Sequence, residues 1–320
     1  MASGSLLGLN YKEVSSYPVG YETTVELGSL DFEEFLWALG IKEEIISYIS
    51  DEIKNKQELD KSILEKMNEY YRWYAIVGGM PDVVNRFIKT NNFNDVHLAQ
   101  KDIIAGYMND VSKYAPNSEK KRIKNVLESI PMQLGKLNKK FQYTDIIDSG
   151  RGEGYRSYGS SLSWLHDAGI VEYCYNLQEP VAPLTSNIKM DSFKVYMKDT
   201  GLLVSMMEPG VGVAILDGNM RINRGGIVEN LTADVLAKKN IRLTYFERKG
   251  KLEVDFILNL DGTVTALEVK SGNNKQSKSL DTVMSDKYGV GRGIKLESTN
   301  IHIDEKGVEH YPLFASAFLF

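Results

Sequence analysis

The chain has 320 residues, of which 42% are hydrophobic and 25% charged, and its net charge is −5. This length predicts two or three domains with proper cores, and the composition is typical of a soluble globular protein. A single cysteine, Cys174, excludes an internal disulfide framework and predicts a cytoplasmic location, and no apolar run approaches the roughly 20 residues that a membrane span needs, so no membrane partner is expected.

Residues 1–40 open with SGSLLGL, a strand-like end and turn, and close with SLDFEEFLWALG, a helix that Ser29 or Asp31 is placed to cap. This region resembles the tail of an AAA-type ATPase in three places: SGS, the following PVG turn and the phrase at 27–35. That family usually has an arginine after the glycine of this turn, where this chain has Tyr21. The resemblance therefore implies no arginine contact to nucleotide.

The phosphate-binding half of such an ATPase is missing from this sequence, which contains no G-x-x-x-x-G-K-[ST] motif. Without that loop no backbone amides cradle the phosphates, so we expect no ATP site and no ATP hydrolysis by this chain. Residues 1–40 are predicted to be the C-terminal remnant of an AAA-type core that belonged to a longer ATPase. The alternative is an ordinary subdomain.

Residues 41–115 show apolar positions at three- and four-residue spacing, which predicts helices at 43–53, 59–76 and 96–114. The phrase GGMPDVVNRF interrupts them, with its proline at a first helical turn. GG-x-P-x-x-V and D-V-S-K-Y resemble phrases of the helical lid of the same ATPases. A plain helix–helix corner without a catalytic role is the favoured interpretation of the glycine–proline turn.

Residues 116–187 predict a winged helix. One amphipathic helix covers 120–130, Pro131 opens the next, a third covers 155–168, and a strand follows at 170–177. Helices followed by a strand wing match the DNA-binding helix-turn-helix plan. Winged helices also serve as protein-docking modules, and both interpretations stay open here.

Nucleic-acid contacts would depend on local basic groups, because the chain as a whole is acidic. The candidates are Arg151 and Arg156 near the third helix, and Arg224 further along. The third helix also carries four serines for phosphates or base edges: Ser157, Ser160, Ser161 and Ser163. Basic patches that could assist are Lys120, Lys121, Arg122 and Lys124, and Lys136 with Lys139 and Lys140.

Residues 188–320 form the last predicted domain. The phrase D-T-G-L-L begins at Asp199, whose expected role is a helix N-cap. This phrase resembles a recurring one in domains of unknown function that are attached to AAA-type ATPases. The predicted element order is αβββαβ around a mixed sheet.

Four charged residues of this last domain are predicted to meet. GGIVEN starts a helix that carries Glu229, LEVDFILNL is a strand that carries Asp255, and TVTALEVKSG is a strand that carries Glu268 and Lys270. Asp-Gly between the two strands predicts a hairpin. Hard carboxylate oxygens suit Mg²⁺ or Mn²⁺, and a lysine beside the metal could orient or deprotonate a water.

This set resembles the PD-(D/E)xK nuclease superfamily, with Asp255 as its Asp, Glu268-Val-Lys270 as its E-x-K, and Glu229 as the helix-borne acid. The literal Pro-Asp is absent because Val254 precedes Asp255. The resemblance implies that Asp255, Glu268 and Glu229 hold the metal and that all four residues are catalytic. The alternative is a surface hairpin with a cross-strand salt bridge, which contributes little stability.

The expected fold class is therefore α/β multidomain: helical and winged-helix regions, then a restriction-endonuclease-like mixed sheet flanked by helices. The expected function is Mg²⁺-dependent hydrolysis of nucleic-acid phosphodiesters, or a DNA-binding effector module of an AAA-type ATPase. The alternative is a catalytically inactive nuclease-fold scaffold that binds DNA or protein. DNA is the favoured partner, and a homo-oligomer is left open.

Overall fold

The structure is a computed structural model that describes residues 27–146, 154–220, 225–272, 278–285 and 288–320. The described residues form both helices and strands, so the chain is α/β, as predicted. Most of the predicted ATPase remnant, together with Arg151 and Arg224, lies outside the described residues. Among the helices that are described, none is long and apolar enough to cross a membrane.

The N-terminal region is helical, as predicted. Its helices are α1 (Phe32–Ala38), α2 (Glu43–Asn55), α3 (Lys61–Val77), α4 (Pro81–Thr90) and α5 (Phe93–Tyr114). Asp31 caps α1 in a reciprocal box, because its carboxylate accepts the Glu34 N–H at 2.9 Å while the Glu34 carboxylate accepts the Asp31 N–H at 2.9 Å. Of the two predicted caps, Asp31 is thus the one confirmed.

Aromatic packing joins these helices. The Phe35 ring of α1 lies 5.4 Å from the Tyr74 ring of α3 and 6.3 Å from the Phe87 ring of α4, centroid to centroid. All three side chains are buried. Aromatic pairs at such distances add to the free energy that their buried area contributes, so they hold the short helix α1 against the longer ones.

The next region contains α6 (Lys120–Leu134), α7 (Tyr155–Asp167), β1 (Val171–Leu177) and β2 (Ile188–Met197). The predicted start of a new helix at Pro131 is wrong, since α6 continues through it. Pro131 lies in the last turn, so the helix loses there the one hydrogen bond that an N–H at this position would donate to the Leu127 carbonyl. Strands β1 and β2 pair antiparallel, so the predicted domain boundary between 187 and 188 runs through a hairpin.

The remaining elements form a mixed α/β region. They are α8 (Thr200–Ser205), α9 (Val211–Leu216), α10 (Gly226–Lys238), β3 (Thr244–Arg248), β4 (Leu252–Val254), β5 (Phe256–Leu260), β6 (Thr263–Val269), α11 (Lys278–Val283), β7 (Arg292–Glu297), β8 (His302–Ile303), β9 (Glu309–Pro312) and α12 (Ser316–Leu319). From α10 to β7 their order is αββββαβ, one strand more than the predicted αβββαβ, because the predicted strand LEVDFILNL is divided into β4 and β5. The winged-helix and nuclease-like folds themselves stay predictions.

Two mixed sheets organise these strands. One has the order β2-β1-β3-β4 and the other β5-β6-β7-β9-β8. The predicted strand LEVDFILNL is divided at Asp255, because β4 pairs with β3 in the first sheet and β5 pairs with β6 in the second. The predicted hairpin turn is confirmed at Asp261 and Gly262, whose φ angles of 49° and 83° are both left-handed. Asp255 therefore lies where the chain passes from one sheet to the other.

Asp199 fixes the start of α8 against the turn between α3 and α4. Its Oδ1 accepts the Leu202 N–H at 2.9 Å, which confirms the predicted N-cap, and its Oδ2 accepts the Gly79 N–H at 2.8 Å. Gly78 and Gly201 allow this approach, since a Cβ on Gly78 would lie 2.2 Å from Asp199 Oδ1 and one on Gly201 would lie 2.5 Å from Gly78 N. The glycine–proline turn and D-T-G-L-L are thus two sides of one contact.

Gly79→Ala is expected to lower the free energy of unfolding by about 1–3 kcal/mol, since overpacking of this kind forces the backbone to move. Its Cβ would lie 1.9 Å from the Leu30 carbonyl oxygen. Gly106→Ala is the matched control in the interior of α5, and it should stabilise by about 0.5–1 kcal/mol. Beyond the backbone of its own helix, a Cβ there meets no atom of the described residues within 4 Å. Urea midpoints measure both. Equal midpoints for the two variants would contradict the close approach.

Glu309 joins β9 to α2 and β7. Its carboxylate accepts hydrogen bonds from Arg292 at 2.9 and 2.7 Å, from Lys56 at 2.9 Å and from Tyr311 at 2.9 Å. Burial alone would raise its pKa, but these donors lower the pKa of Glu309 to about 2. The ionised form is therefore favoured in the native state, and the resulting stability is present above the ordinary glutamate pKa and lost as the pH falls toward 2.

Glu309→Gln should accordingly cost about 1–3 kcal/mol of unfolding free energy at pH 7, and the difference from the parent chain should shrink below pH 4. Guanidinium unfolding across this pH range measures it. Glu305→Gln, at an exposed position on the preceding turn, is the control and should change little. A pH-independent loss in Glu309→Gln would mean that packing, not charge, supplies the stability.

Candidate functional site

The predicted carboxylates converge. Glu229 comes from the first turn of α10, Asp255 from the crossing between β4 and β5, and Glu268 from the end of β6. We call these three residues the acidic cluster. Their exposed fractions are only 4%, 9% and 4%, so the cluster is buried. Asp255 is close enough to both glutamates for their negative charges to raise its pKa.

Local backbone geometry positions each member. Gly225, with φ of 86°, precedes α10, and a Cβ there would lie 3.5 Å from Ser271 Oγ and 3.8 Å from Glu229 Oε1. The start of α10 is thus packed against the residues that follow β6. Asp255 Oδ2 accepts the Val269 N–H at 2.8 Å, which fixes this carboxylate beside Glu268.

Lys270 is the predicted lysine, and it pairs with Glu268 Oε1. Its side chain is 30% exposed, whereas that of Glu268 is 5% exposed, so the ammonium lies between the cluster and solvent. The other oxygen, Glu268 Oε2, is buried and has no hydrogen-bond partner among the residues the structure describes. A buried carboxylate oxygen without a partner is costly, which makes this atom an available acceptor.

Two lysines that are not among the predicted site residues neutralise Glu229. Lys139 Nζ lies 2.6 Å from Glu229 Oε1, and Lys194 Nζ lies 3.6 Å from Glu229 Oε2. Lys194 Nζ also lies 2.8 Å from Glu253 Oε1 and 4.0 Å from Asp255 Oδ1. In addition, the Tyr196 hydroxyl donates to Glu229 Oε2 at 3.2 Å.

Lys139 is therefore not part of a surface patch. The sequence predicts a basic patch of Lys136, Lys139 and Lys140 for nucleic acid, but the Lys139 side chain is 9% exposed and points to Glu229. Lys136 is itself paired with Asp145 at 2.7 Å. Lys194 could have been suspected from its position within the apolar strand FKVYM, whereas nothing local in the sequence marks Lys139.

The pKa values of the three carboxylates in the acidic cluster are shifted in different directions. Burial raises the pKa of Glu229, but the Lys194 and Lys139 ammoniums more than offset this, so the pKa of Glu229 lies below its ordinary value. Burial and the two neighbouring glutamates raise the pKa of Asp255 well above its ordinary value, and burial raises that of Glu268 as well. Glu229 is thus the most strongly ionised member, while Asp255 retains proton affinity near neutral pH.

The pKa of Lys270 is raised. Burial lowers it, but Glu268 and Asp255 raise it by more. Lys270 is therefore protonated at neutral pH and can donate hydrogen bonds, but it cannot remove a proton from water in this state. Of the two roles predicted for Lys270, orientation of a water agrees with the protonated state, whereas removal of a proton from that water does not.

The three predicted metal ligands do not form a complete site. Over the described ranges, no group of three or more His, Cys, Asp and Glu side chains is placed to hold a metal ion. Glu229 is occupied by lysines, which leaves Asp255 and Glu268 as the carboxylate donors. This pair still suits Mg²⁺, which is usually held by one or two carboxylates together with water and substrate phosphate.

Only some of the side chains on α7 that are predicted to contact nucleic acid are available to do so. Arg156 and Ser163 are exposed and Ser157 is partly exposed, but Ser161 is buried. The Ser160 and Ser161 hydroxyls donate to Glu119 at 3.0 and 2.5 Å. These two serines thus join α7 to the start of α6 and are not available to a phosphate.

Two family models match parts of the chain. A model described as "Domain of unknown function (DUF8612)" matches residues 68–211, and one described as "Domain of unknown function (DUF4143)" matches residues 224–313. The second is typically found in proteins associated with AAA-type ATPases. No curated protein and no solved structure matches the chain. The second segment contains the acidic cluster and Lys270, whereas Lys139 and Lys194 belong to the first.

Lys194→Met tests the charge balance of the site. Removing one partner of a buried pair leaves an uncompensated charge, so we expect a loss of about 3–5 kcal/mol of unfolding free energy at pH 8. Without the ammonium the carboxylates bind protons more readily, so the loss should be smaller at pH 5. Urea unfolding at both pH values measures this.

Lys189→Met, on the same strand at a partly exposed position, is the control and should change the unfolding free energy little. Adding Glu229→Gln to Lys194→Met should recover part of the loss, because it removes one of the uncompensated charges. Purely additive losses in this double variant would contradict the coupling between the two residues.

Proposed function

We propose that this chain is the effector module of an AAA-type ATPase system and hydrolyses nucleic-acid phosphodiesters with Mg²⁺ or Mn²⁺, without an ATP site of its own. The supporting observation is that the Asp255 carboxylate lies near those of Glu229 and Glu268 at the end of β6, and that Lys270 pairs with Glu268 there. A hairpin with a surface salt bridge would leave these groups exposed, whereas the three carboxylates are buried.

Each residue has a distinct part in this proposal. Asp255 and Glu268 would hold the metal ion, with Glu268 Oε2 as the oxygen that has no hydrogen-bond partner within the described part of the chain. When bound, the ion would polarise the phosphodiester and acidify a water. Glu229 would not contact the metal ion itself. Its ion pairs hold Lys139 and Lys194 beside the cluster.

Lys270 is the group that a substrate meets first, since it is the partly exposed member of the site. As a protonated ammonium it would donate hydrogen bonds to a phosphoryl oxygen and stabilise the negative charge that grows there during phosphodiester cleavage. Glu268 holds Lys270 in place until the phosphate arrives. The phosphate thus competes with Glu268 for the same ammonium.

The test is cleavage of labelled single- and double-stranded DNA and RNA by the full chain with Mg²⁺ or Mn²⁺. Asp255→Asn and Lys270→Met should each lower the rate on the order of 100-fold or more, in keeping with the loss of a transition-state contact. Asp261→Asn, at the exposed hairpin turn, is the matched control and should cleave like the parent. Circular dichroism should show that all variants are folded.

A second candidate function is a catalytically inactive scaffold that binds DNA or protein. Lys139 and Lys194 favour it, because their ammoniums already neutralise Glu229 and offset the charge of Asp255, which lowers the need for a metal ion. Calorimetric titration with Mn²⁺ separates the two. Tight binding that Asp255→Asn abolishes supports the hydrolase, whereas neither binding nor cleavage would leave the scaffold.

A further inference from the structure

Aromatic side chains cover one face of the hairpin formed by β1 and β2. Tyr173 and Tyr175 alternate on β1 with their rings stacked at 5.5 Å, and Phe193 lies opposite Tyr175 on β2. The Phe193 ring is 5.1 Å from Tyr173, 5.9 Å from Tyr175 and 6.4 Å from Tyr143. The Tyr155 ring follows at 6.1 Å from Tyr143. We call Tyr143, Tyr155, Tyr173 and Tyr175 the tyrosine row.

The tyrosine row lies at the margin of the core, because Tyr143, Tyr173 and Tyr175 pack against it on one side. Phe193 beneath it is buried, whereas Tyr143, Tyr173 and Tyr175 are partly exposed and Tyr155 is 73% exposed. A tyrosine buried in a core normally keeps little accessible ring surface. Here Tyr143, Tyr173 and Tyr175 pack on the buried phenylalanine, and the Tyr173 ring also lies 5.0 Å from the His166 ring, but all three keep part of their ring surface accessible. Tyr155, at the end of the row, leaves most of its ring accessible for stacking.

The opposite face of the same two strands belongs to the candidate site. Lys194 follows Phe193 and is paired in register with Cys174, which lies between the two tyrosines of β1. Because side chains alternate along a strand, the tyrosines point away from the face that carries Lys194 toward Glu229 and Asp255. The tyrosine row and the acidic cluster are thus separated by one layer of sheet.

The charges at the edge of the row fit a phosphate backbone. Arg156 is exposed beside Tyr155, and Arg242 is exposed next to Leu243, whose carbonyl accepts the Tyr175 N–H at 3.2 Å. Among the acids nearby, Glu172 is paired with Lys198 at 3.5 Å and Asp145 with Lys136 at 2.7 Å. Cations beside exposed aromatic rings are the combination that single-stranded nucleic acid requires.

We propose that the tyrosine row binds single-stranded nucleic acid, with successive unpaired bases stacked on the rings and phosphates paired with Arg156 and Arg242. Duplex bases present no free faces to such a row, so the surface selects unpaired strands. This inference names the strandedness of the proposed substrate and rests on the proposed function only for nucleic acid as the partner. Binding itself needs neither the metal nor hydrolysis.

The experiment is fluorescence anisotropy of a labelled oligodeoxythymidylate with the full chain in EDTA, so that cleavage cannot contribute. Tyr155→Ala and Tyr173→Ala should each weaken binding by about 5- to 150-fold, the loss expected for one stacked base. Tyr155→Phe and Tyr173→Phe should keep the affinity of the parent, because stacking uses the ring. A duplex of the same length should bind more weakly than the single strand.

Tyr48→Ala, at an exposed tyrosine on α2, is the matched control and should bind like the parent. Tyr155 is so exposed that its removal should leave the circular dichroism spectrum unchanged. If the alanine variants bind as tightly as the parent, or the duplex binds as well as the single strand, the proposal is overturned. The proposal is also overturned if no oligonucleotide binds, and the tyrosine row would then be a surface for a protein partner. If the chain cleaves duplex and the tyrosine variants cleave it equally well, the proposed hydrolase stands and the tyrosine row has no part in it.

Discussion

The ion pairs of Glu229 are the constraint on which the rest of this structure depends. Lys139 reaches Glu229 from the segment after α6, Lys194 reaches it from β2, and Glu229 itself belongs to α10. A buried carboxylate without compensation is strongly unfavourable, so these segments must assemble together or not at all. The charge network therefore joins parts of the chain that the sequence suggests are separate domains, and it also builds the site.

Much of this site could be predicted because its chemistry is local in the sequence. Asp255, Glu268 and Lys270 belong to strands joined by an Asp-Gly turn, and alternation along such strands indicates which residues share a face. Asp199 followed by a short helix predicts a cap in the same way. These patterns depend on backbone period and turn geometry, both of which can be seen in a few consecutive residues.

The unpredicted features depend on tertiary contacts. Lys139 stands in a run of basic residues that is typical of a solvated surface, and only the approach of α10 makes it a buried partner of Glu229. The division of LEVDFILNL at Asp255 is similar, because a period of two does not reveal that a strand leaves one sheet and enters another. Neither feature has a signal in composition or spacing.

Strands β1 and β3 hold together two segments of the chain that look separable by sequence. The two strands lie side by side in one sheet, with Tyr175 opposite Thr244 and Asn176 opposite Tyr245, yet they belong to the two separately matched segments. Cutting the chain between those segments would open a row of unpaired peptide groups on each fragment. Such bare edges promote strand-to-strand aggregation, so the halves are expected to be soluble only when expressed together.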